Sequence, residues 1–142
     1  LELPPCDFQN LELEMYPEER ALYKEVFERG QSIVSHVFQA GTQNLHQMEL
    51  LECLLRVRQV MTWPQLYLDG MAIKEEANPE PWLGRSRKME TLLELIQTHP
   101  KEKALVFCQF IGEMDEIQQR LSDVGVPTLR IDGITVGGTA TG

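Results

Sequence analysis

The sequence predicts an α/β protein, with a mainly helical N-terminal part followed by an incomplete parallel β-α-β unit. Three observations predict this class. Apolar residues recur at helical spacing through most of residues 17–98. Two short apolar runs, residues 103–108 (KALVFC) and 127–131 (PTLRI), have the composition of buried strands. A helical pattern separates them, and the order strand, helix, strand implies a right-handed parallel crossover.

The chain begins with a predicted strand and a long predicted helix. Apolar and polar residues alternate over residues 11–15, which is typical of a half-buried strand. Pro17 suits the first position of a helix, and the acidic residues after it favour the positive end of the helix dipole. The apolar pattern then continues to about Phe38, and Gly41 breaks it.

A second helix is predicted from about Leu45 to Met61. It ends at Trp63-Pro64, because the residue before a proline avoids the helical region. Residues 69–85 (DGMAIKEEANPEPWLGR) contain two prolines, two glycines and four acidic residues. This composition predicts a connector between two lobes, with one turn of helix at AIKEEA.

The second half of the chain contains two more predicted helices. The third helix begins at Ser86, which is a good N-cap, and ends at His99-Pro100. The fourth begins at Gly112 and ends near Gly125, a residue suited to a helix C-terminus. The remaining residues, 134–142, are small and polar without periodicity, so we expect a disordered tail.

Polar residues follow both predicted strands of the β-α-β unit, and this edge is the candidate site. In open parallel sheets, ligands bind at the carboxyl ends of the strands. Gln109 and Arg130 would lie there side by side and would donate to a phosphate or sugar oxygen. The alternative is structural: Gln109 caps the following helix or bonds a loop carbonyl, and Arg130 pairs with Asp132 or Asp123.

Composition restricts the class of protein. The 142 residues fit one domain, and 42% hydrophobic with 25% charged residues is ordinary for a soluble globular protein. No apolar run suggests a membrane span, and the first residues do not form a signal peptide. The net charge of −9 argues against strong autonomous DNA binding. Cations nevertheless cluster in residues 84–88 (GRSRK) and 54–59 (LLRVRQ), whereas acids crowd residues 17–20 (PEER), 74–80 (KEEANPE) and 112–116 (GEMDE).

The cysteines and histidines predict neither a disulfide framework nor a metal site. The three cysteines are far apart, no CxxC occurs, and the three histidines lack metal-ligand spacing. Free thiols suit a reducing, intracellular compartment. Phosphate-binding loops of the types GxxxxGK[ST] and GxGxxG are also absent from the sequence, so pattern alone does not indicate an enzyme.

Three segments, in this order, resemble the Swi/Snf-related, helicase-like ATPases that move along double-stranded DNA. Residues 1–26 resemble the segment that leaves the first RecA-like lobe, with its Pro-Pro and E-R-x-x-Y. Residues 54–66 (LLRVRQVMTWPQL) resemble the L-L-R-L-R-Q helix of the family. Residues 86–133 resemble the start of the second RecA-like lobe: S-x-K-x-x-x-L, the helicase motif IV strand, and R-x-D-G.

The resemblance implies a domain organisation and a set of nucleic-acid contacts. The implied order is a helical inter-lobe region with a short strand (1–68), a connector (69–85), the start of a second RecA-like lobe (86–133), and the tail (134–142). The residues that would grip the DNA backbone are Lys88, Gln109, Phe110 and Arg130. Double-stranded DNA and the remaining helicase lobes are the implied partners, with a protein partner or self-association as a further expectation.

The sequence also departs from the family. Trp63, Cys108 and Ile134 stand where histidine, serine and serine are usual. The first lobe and the arginine-bearing motifs V and VI are not in the chain. We therefore expect a fragment of a nuclear, DNA-dependent ATPase that does not hydrolyse ATP alone. ATP and Mg²⁺ would bind in the parent, and no cofactor is expected in the fragment. The alternative is a non-catalytic protein-interaction module of helicase ancestry.

Overall fold

The computed structural model of the chain describes residues 1–133. It contains five helices, which are α1 (Pro17–Gln39), α2 (Gln47–Thr62), α3 (Pro64–Lys74), α4 (Arg87–Thr98) and α5 (Ile111–Asp123). No strand occurs within residues 1–133, so the predicted α/β class and its parallel β-α-β unit are wrong. The chain divides into two compact units, residues 1–91 and the residues from 92 onward.

The first two helices agree with the sequence pattern and form the core of the first unit with α3. The predicted boundaries differ from those of α1 by one residue at the C-terminus and from those of α2 by one or two residues at each end. Val26, Val60 and Tyr67, one from each helix, are buried together. Arg29 donates a hydrogen bond of 3.3 Å to the hydroxyl of Tyr67, which satisfies that polar group beside an apolar core.

Helix α3 was not predicted as such, because Pro64 was interpreted only as the end of the preceding helix. Trp63 adopts an extended conformation with φ −159° and ψ 119°, and Pro64 then occupies the first position of α3. A proline at this position loses no helical hydrogen bond, so it can begin a helix as readily as it ends one. The helix reaches Lys74 and therefore extends into the predicted connector.

The rest of the connector is fastened to the first unit. The Gln65 side chain accepts a hydrogen bond from the Trp82 backbone and donates one of 2.9 Å to the Glu80 carbonyl. The Glu18 carboxylate accepts a hydrogen bond of 3.2 Å from the Arg85 backbone. Residues 75–86 therefore fold back onto α1 and α3 instead of forming a loose linker.

Helices α4 and α5 confirm two further predicted elements. The start of α4, however, differs from the prediction. Ser86 precedes α4, yet its hydroxyl is buried and has no hydrogen-bond partner within residues 1–133. The predicted capping by the Ser86 side chain is therefore wrong. Gly125 follows α5 with φ 77°, a left-handed conformation that glycine adopts without strain, as predicted.

All three predicted strands are irregular in the structure. Residues 11–15, 103–108 and 127–131 form no β-ladder. The alternating and apolar patterns identified segments that could sit in a sheet, but a strand needs a neighbour for its backbone hydrogen bonds, and two short strands are a poor sheet alone. Leu105 and Phe107 are consequently 88% and 92% exposed, and Leu129 is fully exposed.

The predicted tail, residues 134–142, lies outside the described residues. No helix within residues 1–133 has the length and apolar character needed to cross a membrane. The division at residue 91 falls inside α4, whereas the sequence placed the boundary between lobes at residues 69–85.

Candidate functional site

The four residues predicted to contact DNA do not all lie in one unit. Lys88 is exposed on the first turn of α4, in the first unit. Gln109 and Phe110 immediately precede α5, and Arg130 follows it, all in the second unit. The predicted arrangement, in which parallel strands deliver Gln109 and Arg130 to a shared edge, is wrong because neither strand forms.

Arg130 is held by two carboxylates of its own unit. Its guanidinium binds Asp115 on α5 and Asp132, and a third contact of 3.4 Å reaches the side-chain oxygen of Gln118. The hydrogen bonds from Asp115 and Asp132 raise the pKa of Arg130. The pairing with Asp132, which the sequence left as an alternative, is therefore present.

The two carboxylates around Arg130 differ in exposure. The Asp132 side chain is 8% exposed, whereas that of Asp115 is 62% exposed. A phosphate approaching from solvent would have to replace Asp115, since Asp132 is already covered. Arg130 can thus act as a phosphate contact only by exchanging one anion for another, which weakens the net gain from any such contact.

Gln109 and Phe110 occupy the start of a helix. The carboxylate of Glu113 accepts hydrogen bonds from the backbone N–H groups of Gln109 and Phe110, at 3.1 and 3.4 Å. Glu113 therefore contributes to the cap at the start of α5. Burial raises the pKa of the neighbouring Cys108 thiol, and Glu113 raises it further. A thiol in this state is a poor nucleophile.

A second polar cluster, which the sequence did not predict, joins the beginning of α1 to the beginning of α4. We call it the clasp, and its members are Tyr16, Glu19, Arg85, Arg87 and Glu90. The Tyr16 hydroxyl donates to Glu90 and accepts a hydrogen bond of 2.7 Å from Arg85. The guanidinium carbons of Arg85 and Arg87 lie 3.9 and 4.0 Å from the centre of the Tyr16 ring.

Glu19 occupies the buried part of the clasp. It is 4% exposed, and its carboxylate accepts a hydrogen bond of 2.9 Å from the Tyr16 backbone N–H. Both of its oxygens also lie 3.1 Å from the backbone nitrogen of Arg87. One carboxylate thus satisfies the first backbone donors of two helices, α1 and α4, that are about seventy residues apart in the chain.

Hydrogen bonds between members of the clasp shift the pKa values of Glu90 and Tyr16. The hydrogen bond from Arg85 is the main cause that lowers the pKa of Glu90, and the hydrogen bond to Glu90 is the main cause that raises the pKa of Tyr16. Complementary charge was visible in the sequence, where PEER is acidic and GRSRK is basic. The pairing of these two segments was not predicted, because nothing in the local pattern brings them together.

A third network connects α2 to α3. Arg56 donates to Glu52 at 3.2 Å and reaches the carbonyl of Gly70 at 3.4 Å. Lys74 also donates to Glu52 and is the main cause that lowers the pKa of this carboxyl group. A cavity of about 200 Å³ lies beside these side chains and is also lined by Tyr67.

Within residues 1–133, no three or more histidine, cysteine, aspartate or glutamate side chains are grouped so that they could hold a metal ion.

Comparisons with protein-family models, with curated proteins and with solved structures find no match to this chain. The candidate sites are therefore defined by the geometry of the chain itself. They are the clasp in the first unit and the Arg130 cluster in the second.

Proposed function

We propose that this chain is part of a Swi/Snf-related, ATP-dependent translocase of double-stranded DNA, in which it couples the two motor lobes and adds contacts to the DNA backbone. ATP and Mg²⁺ would be bound elsewhere in such a protein, which we place in the nucleus. The chain alone is not expected to hydrolyse ATP. The observation that carries the proposal is the clasp.

The clasp supports a coupling role because it joins two of the three segments that resemble the family. Tyr16 and Glu19 belong to the first of these segments, Arg87 and Glu90 lie at the start of the last, and Arg85 immediately precedes it. Charge-assisted hydrogen bonds of this kind are stronger and more directional than neutral ones. A movement of the segment before α1 would therefore be transmitted to the start of α4.

The proposed DNA contacts differ in how readily they can act. Lys88 is exposed, so it can approach a phosphate without first breaking a buried pair. Arg130 must give up Asp115 before it binds an anion from solvent. Because the chain also carries a net charge of −9, we expect its DNA binding to be weak and strongly dependent on salt.

Substitution of Asp115 tests the DNA contact directly. Asp115→Asn removes the exposed partner of Arg130 and should raise affinity for duplex DNA, measured by fluorescence anisotropy at low salt. The matched control is Asp7→Asn, at an exposed residue of the first unit, since it changes the net charge by the same amount. Lys88→Ala should lower the affinity and reduce the salt slope by about 1, the change expected for one phosphate contact.

Equal affinities of the Asp115→Asn and Asp7→Asn variants would remove Arg130 from the DNA contacts. Absence of DNA binding by every variant at low salt would remove the DNA-contact role. It would favour the second candidate, a non-catalytic interaction module. A specific observation supports that candidate: Leu105, Phe107 and Ile111 are exposed around the start of α5, as on a surface that binds protein.

The reading frame of the whole protein discriminates between the two candidates independently. A GxxxxGK[ST] loop before residue 1, together with an arginine-rich motif after residue 142, is required for the motor. If neither is encoded, the chain cannot belong to an ATPase of this class, and the interaction module stands.

A further inference from the structure

The cavity of about 200 Å³ in the first unit is lined by side chains from three helices. The polar ones that matter here are Arg29 from α1, Arg56 from α2, and Tyr67 and Lys74 from α3. All of them belong to residues 1–91, so the cavity does not depend on the second unit. It is smaller than the roughly 300–1,000 Å³ of sites for drug-sized ligands, so a ligand that fits it is small.

Two buried residues of the cavity wall carry hydrogen-bond donors that lack an acceptor. The Nε atom of Arg56 is buried and has no hydrogen-bond partner within residues 1–133. Tyr67 is 6% exposed, and its hydroxyl accepts a hydrogen bond from Arg29, while its own hydrogen has no acceptor within the described residues. Buried polar groups of native proteins are almost always paired, so these donors call for an acceptor inside the cavity.

The Glu52 carboxylate beside the cavity is already engaged by other donors. It accepts hydrogen bonds from the Nη2 atom of Arg56 at 3.2 Å and from Lys74 at 3.0 Å. A ligand that binds the Nε–H of Arg56 therefore leaves both of these pairs in place. Binding does not require the separation of a partly buried ion pair, which would offset much of the gain.

The charge of the cavity wall favours an anion with a single charge. Arg29, Arg56 and Lys74 supply three positive charges, and Glu49 and Glu52 supply two negative ones. One positive charge is therefore left without a counterpart in the wall. The exposed fractions of the Arg29 and Lys74 side chains are 55% and 57%, so these two cations face solvent, whereas Arg56 is only 16% exposed.

The rest of the wall is mainly apolar and includes Val26, Ile33 and Met71. Such a wall suits a short hydrocarbon chain, whereas a phosphate ion presents oxygen on every side and would lose hydrogen bonds against it. We propose that the cavity binds a short-chain monocarboxylate. Its oxygens accept hydrogen bonds from the Arg56 Nε–H and the Tyr67 hydroxyl, and its hydrocarbon part contacts the apolar wall. This site is independent of any role in DNA translocation.

Titration of the 142-residue chain with sodium butyrate, followed by NMR, tests the proposal. The Arg56 Nε–H gives its own signal in a proton–nitrogen correlation spectrum, and its absence from the spectrum of Arg56→Lys identifies it. The signal should shift and saturate, with a dissociation constant of roughly 1 mM for so small a ligand. Butyramide has the same length without the charge and should bind more weakly by about tenfold or more.

Two substitutions and a control test whether butyrate lies in the cavity. Tyr67→Phe keeps the ring but removes the hydroxyl donor, and Arg29→Gln removes a cation of the wall. Each should weaken butyrate binding by about threefold or more while circular dichroism stays unchanged. Lys24→Gln is the matched control for Arg29→Gln, because Lys24 is on the same helix, is 74% exposed and does not line the cavity. It should bind butyrate like the original chain.

Four results would overturn the proposal. An Arg56 Nε–H signal that does not respond to butyrate up to about 50 mM, far above the expected constant, would assign the acceptor role to water alone. Equal binding of butyrate and butyramide would exclude recognition of the charge. Tighter binding of inorganic phosphate than of butyrate would exclude a carboxylate as the preferred ligand. Equal affinities of Arg29→Gln and Lys24→Gln would place butyrate outside the cavity.

Discussion

The buried carboxylate of Glu19 should contribute more to the stability of the first unit than the exposed carboxylates of α1. It is 4% exposed and accepts backbone hydrogen bonds from Tyr16 and Arg87, at the starts of α1 and α4. Loss of a capping side chain costs about 1 kcal/mol, and a hydrogen bond to a charged group contributes about 1.5–3 kcal/mol. Since water can partly replace the lost acceptor, Glu19→Ala should lower the free energy of unfolding by roughly 2–4 kcal/mol.

Urea denaturation followed by tryptophan fluorescence measures this loss in the first unit alone, because Trp63 and Trp82 both lie within residues 1–91. The midpoint should fall while the slope stays constant, as expected when only stability changes. Glu19→Gln keeps one oxygen as an acceptor but loses the charge, so it should lie between the original chain and the alanine variant.

The matched control is Glu25→Ala on the same helix. The Glu25 side chain is 63% exposed, and its pair with Arg29 at 3.5 Å is a surface ion pair worth about 0.5 kcal/mol or less. If Glu19→Ala and Glu25→Ala shift the midpoint equally, Glu19 does not cap the two helices, and the clasp does not stabilise the unit.

Two further predictions concern glycines in helices and acidic pH. An added Cβ at Gly30 would lie 3.5 Å from the nearest side-chain atom, whereas one at Gly70 would lie 2.0 Å from the Arg56 guanidinium. In urea denaturation, Gly30→Ala should therefore stabilise the chain by up to about 1 kcal/mol, and Gly70→Ala should stabilise less or destabilise. The folded pKa values of Glu52 and Glu90 lie below the ordinary 4.5. Their stabilisation is thus complete above pH 4.5 and is lost as the pH falls through the folded values, so Glu52→Gln and Glu90→Gln should flatten the acid limb of urea midpoints plotted against pH.

The helices could be predicted from sequence because their signals are local. Pro17 at the first position of α1, the apolar spacing through α2 and Gly125 after α5 each act within a few residues of the boundary they define. The missed helix, α3, also has a local signal. Pro64 was interpreted only as the end of the preceding helix, although a proline also favours the first position of a helix, which Pro64 occupies in α3.

The strands and the site could not be predicted in the same way, because both depend on distant parts of the chain. An apolar run such as residues 103–108 indicates a segment that fits a sheet, but a ladder also requires a neighbouring strand. The clasp also depends on distant segments, since Tyr16 and Glu19 form its hydrogen bonds only when residues 85–90 lie against them. Charge complementarity between the two segments was the one signal for their pairing.

If the proposed function holds, the arrangement of charges favours coupling between segments over contact with the DNA backbone as the main contribution of this chain. Arg56, Arg85 and Arg130 each bind a carboxylate of their own unit. A phosphate that recruited one of them would leave an acidic group without its partner, so much of the attraction would be offset. Lys88 is exposed and forms no ion pair within residues 1–133, so under the proposed function it is the cation that could contact a phosphate at least cost. In the proposed function, the hydrogen bonds that join Tyr16 and Glu19 to Glu90 and Arg87 would connect the start of α1 to the start of α4, and exposed cations would add only a weak, salt-sensitive contact with DNA.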